Sequence, residues 1–256
     1  FMDMIGNGFT SEYEIKDVKL TDNAGKDFKS IAMDKANMGF DMTGFLDNDV
    51  AFDLRLGFEN FDIEPKKEGM AQLAPSNLNF DVAIENIPFK ELVDLGTNSA
   101  NMAITKPEMA GMMGMSLLIK LPAILSQAGT SMAITKNHVG NDIYHVELDG
   151  HVVTNLQAVN SATADITGQF QGLDDIIALL TAEIQKNPAS PEAQKTQQTL
   201  MGLTMLKGLG EVQGAVSGKP VYNYKLIMNE QGQILLNGND MSMLMGGGAR
   251  RGAPPT

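Results

Sequence analysis

The chain of 256 residues contains no cysteine and no tryptophan. Without Cys there is no disulfide, no zinc ribbon, no iron–sulfur cluster and no thiol nucleophile. The same absence leaves the redox compartment open. Aromatic residues make up only 6% of the chain, so an aromatic cage for a sugar or a quaternary ammonium group has little to be built from. Positive charge is also scarce, with 19 Lys and Arg against 31 Asp and Glu for a net charge of -12. Such a surface cannot displace counterions from phosphates, which excludes a nucleic-acid backbone binder. Long apolar runs are missing too. The nearest approach, 109–125, is interrupted by Lys120 and Pro122, and no membrane-spanning helix is expected.

Motifs that carry chemistry are missing as well. There is no P-loop, no Gly-x-Ser-x-Gly, no Gly-x-Gly-x-x-Gly after a strand and no His-Glu-x-x-His. The three histidines, His138, His145 and His151, lack ligand spacing and read as strand residues. Asp47, Asp49 and Asp53 begin like a calcium loop. The central Gly and the twelfth-position Glu that such a loop requires are here Phe52 and Phe58, so a turn followed by a strand explains them. Asp174 and Asp175 are adjacent and diverge on a helix, where they favour its positive end rather than facing each other as a catalytic pair. The sequence therefore points to no catalytic residue, no metal and no cofactor, and to a protein that is not an enzyme.

What is present is alternation. Val50, Phe52, Leu54, Leu56 and Phe58 are apolar at every second position, the period of a strand with one buried and one wet face. Phe61 and Ile63 resume the pattern one residue out of phase, and Val18 and Leu20 do the same after Tyr13 and Ile15. Each slip is expected to be a bulge. With Ile31, Met33, Met38, Phe40 and Met42, and with Phe80, Val82 and Ile84, residues 10–87 read as a meander of four to five antiparallel strands. The charge agrees. Residues 1–95 hold 19 acidic and 9 basic residues, against 12 and 10 in the remainder, and the excess belongs to the wet side of these strands.

The middle of the chain changes period. A short helix is expected over 88–95. A longer one opens at Pro107 with Glu108 in its first turn, is apolar nearly all round through Met109, Met112, Met113, Met115, Leu117, Leu118 and Ile119, and kinks or restarts at Pro122. Strands return at Thr130–Ile134 and Tyr144–Leu148, with turns at 137–142 and at Asp149-Gly150. Further elements are a strand over 161–170, an amphipathic helix carrying Ile176, Ile177, Leu180 and Ile184, and a helix capped by Ser190 with Pro191 at its first position. Strands over 221–228, 233–236 and 241–245 follow. Met102-Ala103-Ile104-Thr105-Lys106 recurs as Met132-Ala133-Ile134-Thr135-Lys136, either by coincidence or as two equivalent strand starts.

These elements make an α+β fold, a long twisted antiparallel meander with two helical segments packed on one face. It is expected to form one elongated domain over 1–245, comprising a strand-rich half (1–87), a helical insert (88–128) and strands with helices (129–245), followed by a disordered tail (246–256). The remaining compositional oddity is Met, 18 in all. Met is flexible and polarizable and suits surfaces that accept variable apolar partners. A groove for an apolar ligand is expected between the Met-rich helix (Met109, Met112, Met113, Leu117, Leu121) and sheet residues Phe52, Leu54 and Leu56. Core packing is the alternative explanation of the same residues.

The chain closes on Pro220-Val221-Tyr222-Asn223-Tyr224-Lys225-Leu226-Ile227-Met228 and then Gln231-Gly232-Gln233-Ile234-Leu235-Leu236-Asn237-Gly238. This strand, Gly turn and strand ending in Asn-Gly resembles the bacterial YdgA-like envelope proteins and, more loosely, the AsmA-like group, over roughly residues 130–240. The resemblance implies a periplasmic protein with a long curved sheet, held at the inner membrane by an anchor ahead of Phe1, that handles lipid or meets other envelope proteins. It assigns no residue a role. The expected function is non-enzymatic binding of lipid or another apolar ligand along an amphipathic sheet. A structural or interaction module pairing through sheet edges is the second expectation, and a hydrolase with a dispersed site a distant third.

Overall fold

A computed structural model describes residues 6–22, 29–65, 69–106, 110–186 and 188–241. Among these, twelve strands form one open antiparallel sheet, accompanied by four α-helices. The first half supplies β1 (Gly8–Thr21), β2 (Ser30–Thr43), β3 (Val50–Glu59), β4 (Asp62–Glu64) and, after a 3-10 turn at Gly69–Leu73, β5 (Asn77–Ile87). Helices α1 (Phe89–Thr105) and α2 (Ala110–Ala128) follow, then β6 (Ser131–Gly140), β7 (His145–Thr154) and β8 (Ala162–Gln171). Helices α3 (Leu173–Lys186) and α4 (Pro191–Leu209) precede β9 (Glu211–Val216), β10 (Lys219–Met228), β11 (Ile234–Leu236) and β12 (Asn239–Asp240). The order across the sheet is β1-β2-β3-β5-β6-β7-β8-β10-β11-β12, with β4 beside β2 and β9 beside β10. Neighbours in the sheet are therefore mostly neighbours in the chain, as in a meander.

The phase slips have a different cause from the one expected. β1 and β2 keep one register on both sides of the slip, with Lys16 opposite Lys35 and Val18 opposite Met33. No residue is inserted. Instead Asp17 adopts a left-handed backbone (φ 53°), and so does Asn60 (φ 52°), a conformation that Asn and Asp tolerate better than most side chains. β3 and β4 pair with β2 in a single register, so they are one strand broken at Asn60-Phe61. That register sets Asp17 opposite Asp34 and Asp34 opposite Asn60, whose Nδ2 donates to the Asp34 carboxylate at 2.8 Å. The two slips are one crease running across the first strands. A true bulge lies elsewhere, in β6 at Lys136 (φ 49°), where the pairing with both β5 and β7 shifts by one residue.

Several sequence readings are corrected. The helix expected over 88–95 continues to Thr105. Pro122 does not restart the helix: α2 runs through it. The repeated pentapeptide ends α1 at its first occurrence and lies in β6 at its second, so the two copies are not equivalent strand starts. The turn expected over 137–142 falls at Asn141–Tyr144, and Asn137 is buried inside β6. Asp149-Gly150 is not a turn but the middle of β7. A Cβ on Gly150 would lie 2.4 Å from the carbonyl oxygen of Asp165 on β8, so this Gly permits close approach of two strands. Pro107, Glu108 and Met109, residues 242–245 and the tail lie outside the described residues.

The helical pairs are anchored at opposite ends of the strands. Phe89, at the start of α1, stacks edge-on against Phe45 of the β2–β3 loop with ring centres 5.3 Å apart. α2 lies against α1 and touches β5 and β7. At the other end α3 packs on α4 and meets the 3-10 turn. Leu173, Ile176 and Leu180 of α3 are buried. Asp174 and Asp175 sit in its first turn, as expected, and pair with Lys207 (2.5 Å) and Lys219 (2.9 Å). Ser190 Oγ accepts from the Ala193 amide at 3.0 Å and caps α4, with Pro191 at its first position.

Candidate apolar binding face

Residues paired across an antiparallel sheet put their side chains on the same face. The register therefore sorts the sheet into rows. One row reads Phe9, Met42, Phe52, Ile84, Met132, Val152, Ala164, Met228 and Ile234. It crosses nine strands without a polar residue. The next row on that face reads Ser11, Phe40, Leu54, Val82, Ile134, Gly150, Ile166, Leu226 and Leu236. A third runs Tyr13, Met38, Leu56 and Phe80 through the first four strands in sheet order. On the opposite face a row reads Glu14, Asn37, Gly57, Asn79, His138, Glu147, Gln169 and Asn223. The alternation of single strands thus adds up to one apolar and one polar surface.

The apolar surface is unevenly covered. Tyr222 and Ala164 are buried, at 5% and 8% exposure. Tyr222 donates from its hydroxyl to Asp174 of α3 (3.0 Å), and Tyr224 donates to the Leu206 carbonyl of α4 (3.1 Å). Burial pushes the Tyr224 hydroxyl up to about 12, which keeps it a neutral donor. Toward β1 the cover ends. Tyr13 is 61% exposed, Phe9 55% and Met38 47%. Phe40 packs its ring against Phe9 and, edge-on, against Phe52 (centres 6.1 and 5.1 Å apart).

Beyond the crease lies a pocket of about 350 Å³ lined by Phe61, Ile63, Ala71, Ala74, Pro75 and Ile143 and by polar residues that include Asn141. Its wall is held by Asn141, whose Nδ2 donates to the carbonyls of Gln72 and Ala74 (both 2.9 Å), and by the Tyr144 hydroxyl, which donates to the Leu73 carbonyl. Phe61 contacts Phe58 (ring centres 5.9 Å), and Phe58 occupies an apolar position of β3.

The polar face carries charge. Arg55 pairs with both Asp41 and Asp53, the latter at 2.9 Å. Asp81, opposite Arg55, has its carboxyl pushed up by burial and by the neighbouring Asp53. Glu14 is held down to about 2 by hydrogen bonds from Lys16 and Lys35. His138 and His145 lie with ring centres 5.6 Å apart. Among the described residues no three His, Cys, Asp or Glu side chains are placed to hold a metal.

Of the residues expected to line a groove, Phe52, Leu54 and Leu56 stand in three successive rows of the apolar face. Leu121 lies on α2 and is 38% exposed. Met112, Met113 and Leu117 also lie on α2, with side chains outside the described set, and Met109 lies outside it altogether. α2 touches β5 and β7. Row partners such as Val82, Ile134, Ile166 and Leu226 were absent from the expectation, because only the register across strands assigns them. No family model, curated protein or solved structure matches the chain.

Proposed function

We propose that the protein is a non-enzymatic carrier or holder of lipid, or of another elongated apolar ligand, bound on the apolar face between β1 and β7. The observation that carries this reading is the unbroken apolar row across nine strands whose β1 end stays exposed. A sheet face this long and this apolar marks a binding surface, since monomeric proteins rarely leave such patches bare. In this reading the two helical pairs lie over that same face near its two ends, and Phe52, Leu54, Leu56, Met38 and Phe80 contact the ligand between them. Met38 and Met42 suit a ligand of variable shape.

Strand pairing through the β1 edge is the weaker reading. That edge is 14 residues long, but it carries Glu12, Glu14 and Lys16 and is bent at Asp17, features that discourage edge-to-edge addition. Residence in the bacterial periplasm, with tethering at the inner membrane, rests on the resemblance to YdgA-like and AsmA-like proteins. Fractionation of cells making the full-length protein tests it.

The function itself is tested by mass spectrometry of lipids extracted from the purified protein and by titration with a fluorescent fatty acid. Bound lipid is expected. Leu54→Asp with Leu56→Asp is expected to weaken fatty-acid binding by roughly tenfold or more, about 1.4 kcal/mol per decade. No extracted lipid together with no fatty-acid binding would refute the reading.

A further inference from the structure

We infer that Asn137 is the polar anchor of the apolar face. Its side-chain amide donates a hydrogen bond to a carbonyl or carboxylate oxygen of the ligand, which makes that ligand an acyl compound. This rests on the reading of the face as a ligand site and deepens it.

The sequence puts an amide where the face calls for an apolar residue. Beyond the bulge at Lys136, β6 pairs with Asn79 opposite His138 on one side and Asn137 opposite Leu148 on the other. Leu148 stands opposite Gly168, and Gly168 opposite Tyr224. Residues so paired share a face, and two positions along β6 Val139 lies opposite Val146 on that same side. On β5 the neighbour of Asn137 is Phe80, next to Asn79. Asn137 is therefore the β6 member of the row that Tyr13, Met38, Leu56 and Phe80 begin. It is 9% exposed.

Only part of its hydrogen-bonding capacity is used. Asp81 has no register partner on β6, and Asn137 Oδ1 accepts from its amide. A backbone N–H can only donate, so the side-chain oxygen faces Asp81 and the nitrogen is turned away from it. Nδ2 carries two hydrogens and finds no acceptor among the described residues. It is not sealed from solvent. A donor this deep is costly to leave without a partner. The bulge around it is held from both neighbouring strands. Asn79 Nδ2 donates to the Lys136 carbonyl (3.3 Å), and the Lys136 amide donates to the Asp149 carboxylate (3.1 Å). The amide is thus positioned before any ligand arrives.

There is room beside it. A Cβ on Gly168 would meet nothing closer than 3.6 Å, an ordinary contact distance. Phe80 and Leu148, on either side of Asn137, are 37% and 39% exposed. An apolar chain lying on this row would bring its polar group over Asn137.

Chemistry selects the class. Nδ2 offers hydrogens and no lone pair. A carbonyl or carboxylate oxygen accepts them, an ammonium has only donors, and a hydrocarbon has neither. A free fatty acid and an esterified acyl chain share this oxygen.

The test is displacement of a fluorescent fatty acid from the full chain by laurate, methyl laurate and dodecylamine. Laurate and methyl laurate should displace the probe roughly tenfold more effectively than dodecylamine. Displacement by laurate without the ester would identify the free acid as the ligand and keep the assignment. Asn137→Asp retains an oxygen for the Asp81 amide and replaces the donor by a second oxygen, so it should erase or reverse the preference. If that variant does not melt cooperatively, the unaltered chain decides. In isotope-labelled protein the side-chain amide resonances of Asn137 should move with laurate and stay in place with dodecylamine. Equal displacement by all three competitors, or Asn137 resonances that stay in place as laurate binds, would overturn the inference and leave the face as a site for apolar chains at large. No binding of the fatty-acid probe would refute the face as a ligand site, and this inference with it.

Discussion

Toward β10 the apolar face reaches Tyr222, which is buried and donates to Asp174 of α3, whose Leu173, Ile176 and Leu180 are themselves buried. Toward β1 the face runs out to Phe9, Tyr13 and Met38, which are roughly half exposed. The two ends are built by the same alternation and have similar residue types. They differ in whether a helix has come back over the strands. A sheet face is thus a requirement for a cover, and the cover is a separate decision of the chain. Among the described residues the β1 end stays exposed, and in the proposed reading that is the part that takes a ligand.

That contrast can be broken by mutation. Leu180→Ala removes a side chain that is 1% exposed and should cost about 3 kcal/mol in chemical denaturation. Ile15→Ala, at 58% exposure on β1, should cost less than about 1 kcal/mol. Equal costs would mean that β1 is covered after all. Gly150→Ala should be destabilising by about 2 kcal/mol or more, because the new methyl meets β8 backbone at a position with φ 154°. A neutral result in urea titration would show that β7 and β8 can separate without loss.

Smaller effects sharpen the covered end. Tyr222→Phe should cost about 1 kcal/mol, by loss of the bond to Asp174. Asp174 is held below its ordinary value, first by the hydrogen bond from Lys207 and then by that from Tyr222, with burial opposing. A carboxyl depressed in the folded state contributes stability above its unfolded value, and that contribution is lost as pH falls through the folded one. Acid should therefore loosen the α3 end as the pH drops below about 4. Asp174→Asn should flatten this part of the pH dependence of the urea midpoint. An unchanged slope would detach α3 from this ion pair.

The strands of the first half were legible because each carries its own alternation, and the cap at Ser190-Pro191 was legible because capping is local. The rows were not, since register is set by pairing partners far apart in sequence. The pentapeptide Met-Ala-Ile-Thr-Lys makes the limit concrete. Ile134 of one copy lies between Val82 and Gly150 in the sheet, whereas Ile104 of the other is the exposed end of a helix. β9 escaped notice because all six of its residues are exposed and its one cue, the Ser217-Gly218 turn, is short. The apolar face was half visible. Phe52, Leu54 and Leu56 stand out in one strand, but their neighbours on eight others belong with them only after folding.

If the apolar face holds a ligand as proposed, the crease at Asp17, Asp34 and Asn60 bears on the size of that ligand. It shifts the apolar positions out of phase, so the continuous track along a strand stops there. From the helical end to the crease β3 offers ten residues, roughly 33 Å of track at the rise of an extended chain. Across the strands no such boundary interrupts the rows. A molecule lying along the strands would be measured by the protein, and one lying across them would not. Binding that falls off sharply with chain length would report the first orientation, and indifference to length the second.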